Sequence, residues 1–160
     1  MKRLIIAEKP SVAQAIAAVL NIREKKPGYL EGADVLVSWC AGHLVELAAP
    51  EGYDARYARW RQEDLPIVPG SWKYEVIEKS ARQFETLKRL MRRADVSEVV
   101  NACDAGREGE LIFRLVYEKA GCTKPMKRLW LSSMEPDEIR RAYENMRPGE
   151  EYDRLYAAAL

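Results

Sequence analysis

Asn101-Ala102-Cys103-Asp104-Ala105-Gly106-Arg107-Glu108-Gly109-Glu110 is the stretch on which the reading of this chain turns. Before it, residues 98–104 have the apolar weight and length of a short buried strand. After it, 107–120 space Leu111, Leu115 and Val116 along one helical face, and Gly121 ends the pattern. The segment therefore crosses from strand to helix, and its two glycines let the backbone turn tightly. A strand feeding straight into a helix is the repeating unit of parallel sheets.

The same grammar extends outward in both directions. Residues 3–8 hold Leu4-Ile5-Ile6-Ala7, a buried strand in length; Pro10 suits a first helical turn, and Val12, Ile16, Val19 and Leu20 repeat at helical spacing. Residues 25–28 read as a turn, with 29–31 and 34–40 as two strands of a hairpin-like insertion. Residues 48–72, punctuated by Pro50, Gly52, Pro66, Pro69 and Gly70, read as loop with one helical turn. Beyond them come a strand at 74–78, a helix capped by Ser80 with Phe84, Leu87, Leu90 and Met91 inward, a strand at 127–132, and a helix at 135–146. Pro148-Gly149 breaks the chain before a new helical stripe of Tyr152, Leu155, Tyr156 and Ala159. The expected fold is α/β: a mostly parallel, Rossmann-like sheet flanked by helices, with a β-hairpin and loop insertion. Residues 1–147 form the expected domain, and 148–160 the start of a helix leading into another.

Bulk properties narrow the class without naming a function. The 160 residues, 48% hydrophobic and 32% charged, can bury one core and suit a soluble globular protein. A net charge of +1, from 26 basic and 25 acidic residues, neither demands nor excludes nucleic acid. Cys40, Cys103 and Cys122 are odd in number and widely spaced, so they are expected in the core and not in disulfides. The apolar run after Met1-Lys2-Arg3 is too short for a leader or a membrane span, and a cytoplasmic location is expected. No glycine-rich phosphate loop follows the first strand, so no nucleotide cofactor is expected.

In parallel sheets the ligand site lies beyond the carboxyl ends of the strands. That rule selects Glu8, at the end of the first strand, and Asp104, at the end of the strand before Gly106. Asp104, Glu108 and Glu110 gather at a helix start, whose positive end favours them. Hard oxygen donors completed by water and substrate phosphate are what Mg²⁺ requires. Carboxylates this close cannot all ionise easily, so one should keep its proton near neutral pH and serve as an acid. The plainer alternative is a solvated acidic helix start.

Two stretches, Ala7-Glu8-Lys9-Pro10-Ser11 and Asp104-Ala105-Gly106-Arg107-Glu108-Gly109-Glu110, together resemble the Toprim domain of type IA DNA topoisomerases, in the topoisomerase III form. The likeness continues through Gly42-His43-Leu44, Trp60 to Pro66, Arg128 to Ser133 and Tyr152 to Leu160, so it covers essentially the whole chain. It implies an isomerase that cuts and rejoins single-stranded DNA through a 5′-phosphotyrosine. Glu8, Lys9 and Arg107 would be catalytic: Glu8 as general acid and base, Lys9 as charge partner of the phosphate, Arg107 pairing with phosphate or bracing the acids. Asp104, Glu108 and Glu8, with Glu110 as a further candidate, would hold Mg²⁺. His43, Lys9 and Arg107 would meet DNA. The chain departs from the family's D-x-D-x-E at Gly106, where the second aspartate would stand. None of its tyrosines is followed by the family's Pro-Arg, so the chain alone is expected neither to cleave nor to relax DNA.

Other features carry less. Cys40 and His43 form C-x-x-H, but partners at Cys103 and Cys122 are remote in the chain, and zinc is not expected. Residues 56–61 interleave Arg56, Arg59 and Arg61 with Tyr57 and Trp60, which suits either strand contact or, the preferred reading, aromatics packed on the core. Arg82, Lys88, Arg89, Arg92 and Arg93 read as a solvated face. The rival functions are a metal-dependent nuclease and a noncatalytic nucleic-acid-binding module.

Overall fold

Leu4, Ile5, Ile6 and Ala7 are all fully buried, so the strand that carries them must be covered on both faces. The computed structural model, which describes residues 1–160, shows how. The first elements are β1 (Lys2–Ala7), α1 (Pro10–Val19), β2 (Glu24–Lys26), β3 (Tyr29–Glu31), β4 (Val35–Trp39) and β5 (Val45–Leu47). There follow β6 (Tyr74–Val76), α2 (Ala81–Met91), β7 (Val96–Ala102) and α3 (Arg107–Lys119). The last are β8 (Met126–Arg128), α4 (Pro136–Glu144), β9 (Arg147–Pro148) and α5 (Asp153–Ala157).

Seven strands form one sheet in the order β2-β3-β4-β1-β7-β8-β9. Its centre, β4-β1-β7-β8, is parallel, and antiparallel strands finish both edges. Period-two alternation divides the central strands between two cores. Leu4, Ile6, Leu36 and Val99 meet Phe84, Leu87 and Leu90 of α2 and Ile112, Phe113 and Val116 of α3. Ile5, Val37 and Val100 meet Ala13 and Ile16 of α1 and Ile139 of α4. The expected mostly parallel α/β sheet is what forms.

Details differ where tertiary contact outweighs local pattern. Lys25 and Lys26 belong to β2, not to the turn, which is Pro27-Gly28 alone. The expected hairpin of β3 and β4 exists, but β4 also pairs in parallel with β1, so it is integral to the sheet and not an insertion. The true insertion lies between β5 and β6, which form a separate two-stranded sheet. It holds three short 3₁₀ turns instead of one helical turn. Trp60 there is 79% exposed, so it does not pack on the core as the preferred reading had it. β8 ends at Arg128, short of the expected 132, and that side chain turns inward and is only 1% exposed.

Residues 148–160 fold back onto α3. Arg114 donates to the Gly149 carbonyl at 2.8 Å and pairs with Asp153 at 2.9 Å, and Tyr152 stacks on Trp130. This cover buries Arg114, while Ile112, Phe113, Leu115 and Val116 are buried in the core against the sheet and α2. No helix is long and apolar enough to cross a membrane.

Candidate active site at the strand ends

β1 and β7 are neighbours with Ala7 opposite Ala102, so the residues that leave their carboxyl ends emerge side by side. Glu8 follows Ala7 directly and Asp104 comes just after Ala102. Both line the same cavity, close enough for the Asp104 carboxyl to act on that of Glu8. Glu8 is 9% exposed, and its Oε1 is buried with no hydrogen-bond partner. Burial lifts the Glu8 carboxyl above the ordinary carboxylate range, the Asp104 carboxyl adds to the rise, and the Lys9 ammonium opposes it. That rise favours the protonated form of Glu8 beside the open Asp104 carboxylate.

The cavity has a volume of about 440 Å³ and is lined by Glu8, Asp104, Gly106, Arg107, Glu108 and Ala159. Asp104, Arg107 and Glu108 are exposed there, as is Lys9 beside Glu8. His43 arrives from the turn after β4. The Gly42 amide donates to the Glu8 carbonyl at 3.1 Å, with Ala41 and Gly42 both in the left-handed region at φ +55 and +81. That bend carries the His43 ring to the Glu108 carboxylate, and the two are hydrogen-bonded. The structure thus brings together Glu8, Lys9, Asp104, Arg107, Glu108 and His43. It does not converge them fully, because no three His, Cys, Asp or Glu side chains close on a single point.

Glu110 is the correction. It is 1% exposed and turns away from the cavity into the protein. Asn101 donates to its Oε1 at 3.1 Å, Arg114 to its Oε2 at 3.3 Å, and Arg128 Nε lies 2.6 Å from Oε1. With both oxygens taken and no path to solvent, Glu110 is a structural anion and not a candidate ligand.

Its partner Arg128 is the residue that sequence reasoning missed. The guanidinium donates to the Cys103 carbonyl at 2.6 Å and the Asp104 carbonyl at 2.9 Å, and it lies under the Trp130 ring at 4.9 Å. It therefore grips the backbone of the segment that presents Asp104. The only signal in sequence was an arginine directly before the apolar Leu129-Trp130-Leu131. Gly109 completes the support, since a Cβ there would sit 1.9 Å from the Asp104 carbonyl oxygen. Gly106 is different: nothing lies within 4 Å of its missing Cβ, but its φ of +143 is a conformation side chains rarely adopt. An aspartate at 106 would find open space for its side chain but would strain this backbone.

Cys40 and Cys103 fill the core beneath Glu8, where their mutual contact and then burial push the Cys103 thiol well up.

Known proteins resemble this chain. The chain is similar to DNA topoisomerase 3 of Bacillus anthracis and of Bacillus subtilis, at 48% identity over 159 residues in each case, which is 99% of this chain. It spans only 22% of the length of either relative. Among solved structures, full-length topoisomerase I from Thermotoga maritima superposes with a TM-score of 0.56 at 23% identity, over 91% of this chain and 21% of that one, a likeness of fold. A model of the Toprim domain matches residues 3–134, from the first strand through the turn beyond the last parallel one, and on that match this chain belongs to the Toprim domain family.

Proposed function

We propose that this chain supplies the acid–base and Mg²⁺-holding part of a type IA DNA topoisomerase of the topoisomerase III kind. The observation that carries the reading is the meeting of Glu8 with Asp104 at adjacent strand ends, with Glu8 Oε1 buried and unpartnered. The substrate is a single-stranded stretch of DNA, attacked by a tyrosine that this chain does not carry. Residues 148–160 would lead into the domains that bring that tyrosine to the cavity.

Glu8, whose burial favours the protonated carboxyl, would give its proton to the departing 3′ oxygen of the cut strand. In the return step it takes the proton back from the 3′ hydroxyl, which restores the attacking oxygen. Lys9 and Arg107 balance the charge that grows on the phosphate. His43 holds Glu108 and offers the strand a donor on the other side of the cavity.

The donor set fits Mg²⁺ of the open kind. Asp104 and Glu108, exposed carboxylates on the cavity that Glu8 also lines, would hold the ion, with water supplying the remaining ligands. Bound there, Mg²⁺ would neutralise phosphate charge and hold the cut ends for rejoining.

Cleavage and rejoining of a labelled single-stranded oligonucleotide by the full-length enzyme test the role of Glu8. Glu8→Gln should slow both steps by about 10²–10⁴-fold and leave strand binding intact. Equal rates in the two enzymes would remove Glu8 from the chemistry. The 160-residue chain alone, with supercoiled plasmid and Mg²⁺, should leave the plasmid untouched. Relaxation would defeat the proposal, and nicking would favour the nuclease reading.

A further inference from the structure

A second concavity lies on the α2 side of the sheet, with a volume of about 780 Å³. Lys79, Arg82 and Arg89 line it, and Glu85 is the one acid among its lining residues. All three cations are exposed, and none takes part in any ion pair or side-chain hydrogen bond. Lys88 and Arg92, further along the same helix, are also without acidic partners. By contrast, Arg140, Arg141 and Arg147 on the opposite side each hold a carboxylate. A set of cations left unneutralised along one helix raises a local positive potential inside a nearly neutral chain.

The concavity is connected to the acidic cavity through one turn. Ala41 lines the concavity, the Gly42 amide is bonded to the Glu8 carbonyl, and His43 holds Glu108. Ala41 and His43 are two residues apart and so at most about 7 Å from one another. That is roughly two phosphate repeats of a stacked strand. Gln83 fixes the wall between them, donating to the carbonyls of Gly28 at 3.1 Å and Trp39 at 2.8 Å. Gly28 comes close enough that a Cβ would be 2.9 Å from Thr86 Cγ2, so the hairpin turn is seated firmly on α2.

We propose that the phosphate backbone of the DNA strand leaves the acidic cavity over the 40–43 turn and lies along Lys79, Arg82 and Arg89. The inference rests on the acidic cavity being a DNA site, and it adds where the flanking strand runs. These residues read no sequence; they add affinity by displacing counterions from phosphates.

Fluorescence anisotropy of a labelled oligothymidylate with the 160-residue chain, at salt concentrations between about 50 and 200 mM, tests it. Each lost phosphate contact should reduce the slope of log K against log salt by about 0.7. The triple variant Lys79→Gln/Arg82→Gln/Arg89→Gln should therefore lower the slope by about 2. The triple variant Arg140→Gln/Arg141→Gln/Arg147→Gln changes net charge equally and should leave the slope alone. If the two triples lose the same slope, or neither loses any, the α2 path is wrong while DNA binding itself stands. If the unsubstituted chain binds no oligonucleotide at the lowest salt, both the path and the DNA reading of the acidic cavity fall. All three α2 residues are exposed, so folding should survive substitution; should the triple unfold, single variants each read a loss of about 0.7.

Discussion

At Gly109 the chain has no room for a methyl group. The first turn of α3 is pressed against the Asp104 carbonyl, which Arg128 holds from the other side. Gly109→Ala must push that carbonyl away and should cost about 3 kcal/mol by overpacking, seen as a lower urea midpoint. A variant as stable as the parent would mean the turn can shift freely. This steric demand was invisible in sequence, where Gly106 and Gly109 looked alike as turn residues. In the structure Gly106 answers to its φ of +143 and Gly109 to a collision. Glu110 makes the same point for charge. Two residues from Glu108 in sequence, it faces the opposite way, because a step of two along a helix moves a side chain to another face.

Among the elements, β7, α3 and β8 are tied by one buried charge network. Glu110 and Arg128 are each 1% exposed, and Arg128 also serves Cys103 and Asp104. Removing Arg128 leaves the buried Glu110 with only Arg114 and Asn101 to balance it and strips the Cys103 and Asp104 carbonyls of their donor, so Arg128→Ala should destabilise by about 3–5 kcal/mol. Arg128→Met combined with Glu110→Gln should cost less than the sum of the single changes, by about 1–3 kcal/mol in a double-mutant cycle. Strict additivity in urea unfolding would show that the two groups do not act as a pair. The long elements were legible beforehand: α3 from its apolar spacing, β1 from its unbroken apolar run. β5, β8 and β9 have three residues or fewer, too short to display a period, and only their pairing partners define them.

Across the whole molecule, the two ends of the sheet shift their carboxyl groups in opposite directions. The amino ends of the strands carry an ion cluster in which Arg93 pairs with Asp95 at 2.8 Å and Glu31 at 2.9 Å, and Lys2 with Glu31 at 2.6 Å. Hydrogen bonds from Arg93 lower the Asp95 carboxyl to about 2, and those from Arg93 and Lys2 lower that of Glu31. A depressed folded pKa gives stability that is present above the unfolded values of about 4 and is lost as pH falls toward 2. Urea midpoints should therefore drop between about pH 4 and 2, and Asp95→Asn/Glu31→Gln should flatten that decline. An unchanged acid limb in the double variant would place the sensitivity elsewhere. At the carboxyl ends the opposite arrangement holds, with acids gathered and Glu8 raised. The amino-acid sequence by itself determined the α/β class, the strand-to-helix turn at Asp104 and the selection of Glu8, because apolar period and strand-end position are local properties. Tertiary structure alone decided that Glu8 and Asp104 line one cavity, that His43 reaches Glu108, that Glu110 is buried and that Arg128 holds the loop. Those facts depend on strands distant in the chain lying in register, and no local pattern encodes which strand becomes whose neighbour.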